Sequence, residues 1–275
     1  MASSPDTGTN DLLSTLEDGV LTLTLNRPEA RNAMSDAMNQ ALGAQLAWAE
    51  LAPAVKCVVL TGAGKGFCAG GDVKGMAGQG EGSGGAALTL DEAIHRQRVN
   101  QRATAGRLFK MPKPTIAALP GAAAGAGFSL ALACDLRIMA RTAILTTAFA
   151  RVGFSGDYGG TYFLTQLVGS AKARELYYLS ERVSAEEALA LGLANWVCEP
   201  EELAERTRQI ARRLAGGPTV AYRYMKENLN RAMAGEVDDC LDLEATHHVH
   251  CAATADHREA ARAFVEKREP VFQGR

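Results

Sequence analysis

Apolar residues and threonines alternate through VLTLTL at 20–25, the period of a half-buried β-strand, and Asn26-Arg27-Pro28 breaks the run. From Ser35 to Leu51 the apolar positions recur at helical spacing, and Ser35 is placed to cap the helix N-terminus. VKCVVL at 55–60 is a short β-branched run and predicts a second strand, ending at Thr61-Gly62. Residues 88–110 predict one helix, and PTIAAL at 114–119 a third strand. Phe128–Ala133 is apolar throughout and predicts a buried helix; Leu136–Met139 follows as a strand. A helical pattern starts at Gly159 and continues through the 170s. Ser184-Ala185-Glu186-Glu187 is a capping box, opening a helix that stops at Gly192.

Past Pro200 the period changes. Residues 200–214, 218–233, 236–251 and 254–268 each carry one apolar face at helical spacing. The chain therefore divides into a loose tail at 1–12, a mixed β/α body at 13–199 and a helical part at 200–275. The unit repeated in the body is strand, glycine-rich turn, helix. With 275 residues, 47% of them hydrophobic, the chain can bury a sizeable core. A formal net charge of -2 gives no bias towards nucleic acid or an anionic membrane surface. No stretch approaches the roughly 20 apolar residues of a membrane span. The N-terminus has neither the basic nor the apolar region of a secretory signal. The six cysteines form no C-x-x-C pair, which fits reduced thiols and a cytoplasmic protein.

Candidate chemistry lies in two glycine-rich runs, GKGFCAGGDVK at 64–74 and PGAAAGAGFSLALACD at 120–135. Each follows a strand directly and runs towards a helix. Amides at a helix start are unsatisfied and carry the positive end of the dipole. Two such starts facing each other can grip one oxygen between two backbone N–H groups. Tight strand–helix packing also favours Gly and Ala, and the residues alone do not separate the two readings. Gly80–Gly85 matches G-x-G-x-x-G but follows no strand, and the surrounding 75–87 has the composition of a flexible loop. Gly64-Lys65-Gly66 lacks the Ser or Thr of a phosphate-binding loop. His247, His248, His250 and Cys251 cluster on a helix, where a polar face at a pocket edge or subunit contact competes with metal ligation.

In these runs the chain resembles the crotonase (enoyl-CoA hydratase/isomerase) superfamily. The matching pieces are LNRPEARNAM at 25–34, VKCVVLTGAGKGFCAGGDVKGM at 55–76, PTIAALPGAAAGAGFSLALACDLRIMA at 114–140, 159–197, and HREAARAFVEKREPVF at 257–272. The resemblance implies an α/β fold, a spiral of β-β-α units with a C-terminal helical region that assembles trimers or hexamers. It implies an acyl-CoA substrate, with coenzyme A part of that substrate and no separate cofactor or metal. It implies that the amides of Gly71 and Ala126 hold the thioester oxygen and stabilise an enolate. Coenzyme A contacts are implied near Ala30, Ala69, Asp72, Val73 and Lys74, with Lys267 a phosphate partner.

Hydratases of this superfamily hold their water with two glutamates. The corresponding positions here are Ser129 and Phe149. Asp157, in VGFSGDYGGTYF, lies where several isomerases and aromatic dehalogenases place a functional aspartate; the competing reading is a helix cap near Tyr158. A dehalogenase histidine is missing near Arg102. A single carboxylate that removes a proton from one carbon and returns it to another performs isomerisation. The expectation is thus enoyl-CoA isomerase-type proton transfer by Asp157, ahead of 2-enoyl-CoA hydration and of a non-catalytic acyl-CoA-binding or RNA-binding homologue. The loop at 75–87 and residues near 92–105 are expected to line the acyl pocket.

Overall fold

The computed structural model describes residues 4–72 and 88–275. Strands β1 (Leu12–Glu17), β2 (Val20–Leu25), β3 (Cys57–Gly62), β5 (Thr115–Leu119), β7 (Leu136–Ala140) and β10 (Trp196–Cys198) form one sheet, in that spatial order. Strands β4 (Gly66–Cys68), β6 (Ala122–Ala124), β8 (Ile144–Thr146) and β9 (Val183–Ser184) form another. In the first sheet β1 and β2 are antiparallel and the rest parallel. In the second, β4, β6 and β8 are parallel and β9 closes antiparallel.

Chain order alternates between the sheets. β3 then β4, β5 then β6, and β7 then β8 each place one strand in either sheet, with helices between successive pairs. This is the expected spiral of β-β-α turns. Helix α1 (Asp36–Leu51) carries Ser35 as N-cap, its hydroxyl accepting from Met38 N at 3.0 Å. The single helix expected over 88–110 is two, α2 (Leu90–Ala103) and α3 (Ala105–Lys110). Thr104 breaks it, at φ -111° and ψ -89°, with its hydroxyl turned back to Asn100 O at 2.8 Å. Helix α4 (Ala126–Ala133) is buried along its whole length. Helix α5 (Gly160–Leu179) is kinked at Gly169, and the capping box at Ser184 and Glu187 opens α6 (Ala185–Ala190).

The C-terminal helices are α7 (Leu203–Ala215), α8 (Thr219–Ala232), α9 (Val237–Ala252) and α10 (Ala255–Glu266). Lys226 of α8 ties them to the spiral. Its buried ammonium donates to Leu108 O at 2.9 Å, Lys113 O at 3.2 Å and Asp135 at 2.9 Å. The described part of the expected tail is not loose. Leu12 is fully buried, Gln45 donates to Pro5 O at 2.8 Å, and the Asp11 carboxylate accepts from Ser35. Polar composition concealed a segment held by hydrogen bonds as well as by the buried Leu12.

Candidate active site

The two glycine-rich runs lie side by side because β4 pairs with β6, Cys68 opposite Ala123. The strand pair is so close to α4 that a methyl on Gly127 would sit 2.5 Å from Cys68 O and 2.6 Å from Cys68 Cβ. One on Gly70 would lie 3.3 Å from Ala126 N. Gly125, at φ 52° and ψ -125°, turns the chain into the helix through a conformation open only to glycine. Ala126 then stands in the first turn, where its N–H has no intrahelical acceptor. Gly71 bridges Met34 in parallel, and in that bridge Met34 N donates to Gly70 O at 2.8 Å. This pattern uses the groups of Met34 and turns the N–H of Gly71 to the opposite side. The helix expected after the first run falls outside the described residues.

Residues 27–34 brace that bridge. Asn32 is fully buried, at φ 56°. Its Oδ1 accepts from Arg27 N at 2.9 Å, and its Nδ2 donates to Ala63 O and Gly66 O, both at 2.9 Å. Ala69 N donates to Arg31 O at 3.0 Å, which puts Ala30 and Ala69 on neighbouring strands of backbone. Asp72 accepts from Arg27 at 3.0 Å, and Arg27 also donates to Ala33 O at 2.9 Å. The Asp72 carboxylate is therefore engaged in bracing the chain. Val73 and Lys74 lie outside the described residues. Lys267 is exposed at the C-cap of α10, at φ 53°; among the described residues no hydrogen bond or ion pair joins it to the glycine-rich runs.

Asp157 lies on the segment that leads into α5, the helix that packs against α4. It precedes α5, whose N-cap is Gly159, so it is not the helix cap considered above. Gly160 packs against the Ser129 hydroxyl, one turn into α4 from Ala126. The neighbouring Tyr158 is buried. The half-buried Asp157 carboxylate accepts from Gln97 Nε2 at 2.9 Å and 2.8 Å on its two oxygens, and from Tyr158 N at 2.8 Å on Oδ1. Burial raises its pKa above the ordinary carboxylate value of 3.8, while the Gln97 and Tyr158 donors pull the other way. Among the described residues no cation contributes to that shift. Phe149 fills the second glutamate position. Its ring stacks on Tyr177, with centroids 5.8 Å apart and planes 9° from parallel, and its edge lies beside Gly125.

Asn32, Gln97 and Tyr177 were not singled out individually by the sequence. Asn32 had a signal, since Asn is the side chain that best tolerates a positive φ. Gln97 lies within the 92–105 stretch expected to line the pocket, but nothing singled it out among the other polar residues of α2. The histidine cluster is otherwise engaged. His247 stacks on Tyr224 at 4.2 Å, contacts Asn228 Oδ1 at 2.6 Å and faces Glu227 at 3.4 Å. Among the described residues no group of three His, Cys, Asp or Glu side chains is placed to hold a metal ion, and no helix is long and apolar enough to cross a membrane. Clefts of 370 Å³ between the larger sheet and α7, and 510 Å³ beside α8, are lined by neither Asp157, Gly71 nor Ala126.

A family model described as enoyl-CoA hydratase/isomerase matches residues 15–275. The chain is 40% identical over 264 residues to the 1,2-epoxyphenylacetyl-CoA isomerase of Escherichia coli K12, covering 96% of this chain and 98% of that protein. It is 33% identical over 261 residues to the short-chain-enoyl-CoA hydratase of Clostridium acetobutylicum, covering 94% and 96%. Its backbone superposes on the crystal structure of an enoyl-CoA hydratase from Bacillus anthracis with a TM-score of 0.88 at 31% identity, over 96% of this chain and 100% of that one. The paired glycine-rich runs, the ββα spiral and these matches agree: the chain belongs to the crotonase, or enoyl-CoA hydratase/isomerase, family.

Proposed function

We propose that the protein is an acyl-CoA isomerase that moves a proton along the acyl chain through an enolate, with Asp157 carrying the proton. The observation that carries this reading is the half-buried Asp157, its pKa raised, on the segment whose Gly160 packs beside Ser129, while the two hydratase glutamate positions are Ser129 and Phe149. Water addition in the hydratase manner needs two positioned acid/base groups; a double-bond shift needs one. With a 3-enoyl thioester, Asp157 removes a proton from C2. The electron pair spreads over C2, C4 and the thioester oxygen, and the amides of Gly71 and Ala126 hold the negative oxygen. Asp157 then returns the proton to C4, leaving the 2-enoyl thioester. A raised pKa strengthens the carboxylate as a base and keeps it able to release the proton again. The stacked rings of Phe149 and Tyr177 support a ring-bearing acyl group, as in the name of the Escherichia coli relative. In this reading Ala30 and Ala69 flank the coenzyme A path, and Lys74 and Lys267 meet its phosphates.

The test sets a 3-enoyl-CoA against crotonyl-CoA with the same enzyme. The expected result is isomerisation of the first, reduced about 10³-fold by Asp157→Asn. Hydration of crotonyl-CoA as the main activity, unchanged in that variant, would overturn the reading in favour of a hydratase.

A further inference from the structure

Gln97 reaches Asp157 across a gap between two separate parts of the chain. It stands on α2, which follows the capping box of Thr89 and Glu92 and buries none of its residues fully. Its side chain is half-buried, unlike those on either side of it. The Nε2 distances to the two carboxylate oxygens, 2.9 Å and 2.8 Å, are nearly equal, so the amide straddles the group rather than capping one atom. An amide nitrogen only donates and a carboxylate only accepts, so the polarity of this contact is fixed by chemistry. With Tyr158 N added, Oδ1 has two donors within 2.9 Å. Oδ2 has one among the described residues, and so keeps the more open acceptor direction.

We infer that Gln97 is the positioning residue for proton transfer, holding Asp157 so that Oδ1 stays the hydrogen-bonded carbonyl oxygen while Oδ2 takes up and returns the substrate proton. The inference rests on the reading of Asp157 as proton carrier. The atoms balance at each step: the proton leaves C2 for Oδ2, then Oδ2 for C4, and the donors on Oδ1 are used in both states without rearrangement. Glutamine suits the position by its neutrality. A Lys or Arg there would hold the carboxylate ionised by charge, weakening it as a base. A Leu would leave a half-buried charge with fewer donors.

The other groups around Asp157 do not supply the same control. The facing phenols of Tyr158 and Tyr177 are both pushed above their ordinary range by burial, and so stay neutral at working pH. Cys68 and Asp36 act on Tyr158, and the Cys68 thiol is itself pushed up to about 12. On α2 itself Arg96 pairs with Asp36 at 2.9 Å, and His95, Arg98 and Arg102 are exposed.

The experiment compares the full chain with Gln97→Leu and Gln97→Ala, assayed on a 3-enoyl-CoA across pH. Both variants should still fold, since α2 has no fully buried residue to lose, and should melt slightly below the parent at pH 7 because the Asp157 charge has lost donors. The expected result is a kcat lowered roughly ten-fold or more, with KM nearly unchanged. The pH limb set by Asp157 should move upward, because donors to the charged form are gone. In an Asp157→Asn background, Gln97→Leu should have no further effect on kcat. NMR titration of labelled Asp157 carboxyl carbon should show the same upward shift with no substrate present. Failure of the Asp157 reading would appear separately, as full isomerase activity in Asp157→Asn alone. An unmoved titration, with kcat and pH limb as in the parent for both Gln97 variants, would overturn the inference.

Discussion

At the residue scale, Asp157 as the proposed proton carrier combines an energetic cost with a chemical use. A carboxyl whose folded-state pKa is raised favours the protonated form. Its contribution to stability is fully present below the ordinary value of 3.8 and is lost as pH rises through the higher folded value. At neutral pH the charge is thus a burden on the fold. Asp157→Asn should raise Tm at pH 7 while removing isomerase activity, and the gain should shrink as pH falls towards 3.8. Thermal melts of both proteins across that range check the sign. A gain in stability paired with a loss of chemistry is the signature of a functional group. Asn32 is the opposite case, holding three hydrogen bonds, one within 27–34 and two that join it to the 63–66 turn. Asn32→Ala should cost about 2–4 kcal/mol in urea unfolding, since it strands several buried partners and places alanine at a positive φ.

At the scale of elements, the decisive contact is β4 against α4. Gly127→Ala would drive a methyl into the Cys68 backbone and side chain, 2.5 Å and 2.6 Å away. The strand and helix must then part, and with them the Gly71 and Ala126 amides. We expect a kcat reduced about 10²–10³-fold, the scale of losing an oxyanion donor. The stability loss should be about 1–3 kcal/mol; steady-state kinetics beside a melt separates the two effects. This contact was half legible in the sequence. Two glycine-rich runs after strands pointed to close backbone approach, but residues alone left packing and oxyanion binding balanced. The longer strands and helices were legible because their periods are long enough to register. The three-residue strands β4, β6 and β8 were not: a run such as Ala122–Ala124 has no period, and pairing with neighbours makes it a strand. β1 was missed because polar residues precede it, and Gln97 because its partner lies 60 positions away.

At the scale of the molecule, the spiral and the C-terminal helices are joined through a buried charge. Lys226 satisfies two carbonyls from the α3 end and the Asp135 carboxylate, while Asp135 also accepts from Thr115 N at 2.8 Å. Removing one member of a buried pair leaves its partner uncompensated. Lys226→Ala should therefore destabilise the chain by about 3 kcal/mol in denaturant titration.

The cysteines give the same molecule a built-in clock. Burial pushes the thiols of Cys57, Cys68 and Cys134 up to about 12, while Cys240 and Cys251 are only half-buried. A maleimide offered to the native protein should modify those two promptly and leave Cys68 untouched until the sheet edge breathes away from the helix behind it. The slow phase of labelling at Cys68 then times how often the two glycine-rich runs come apart.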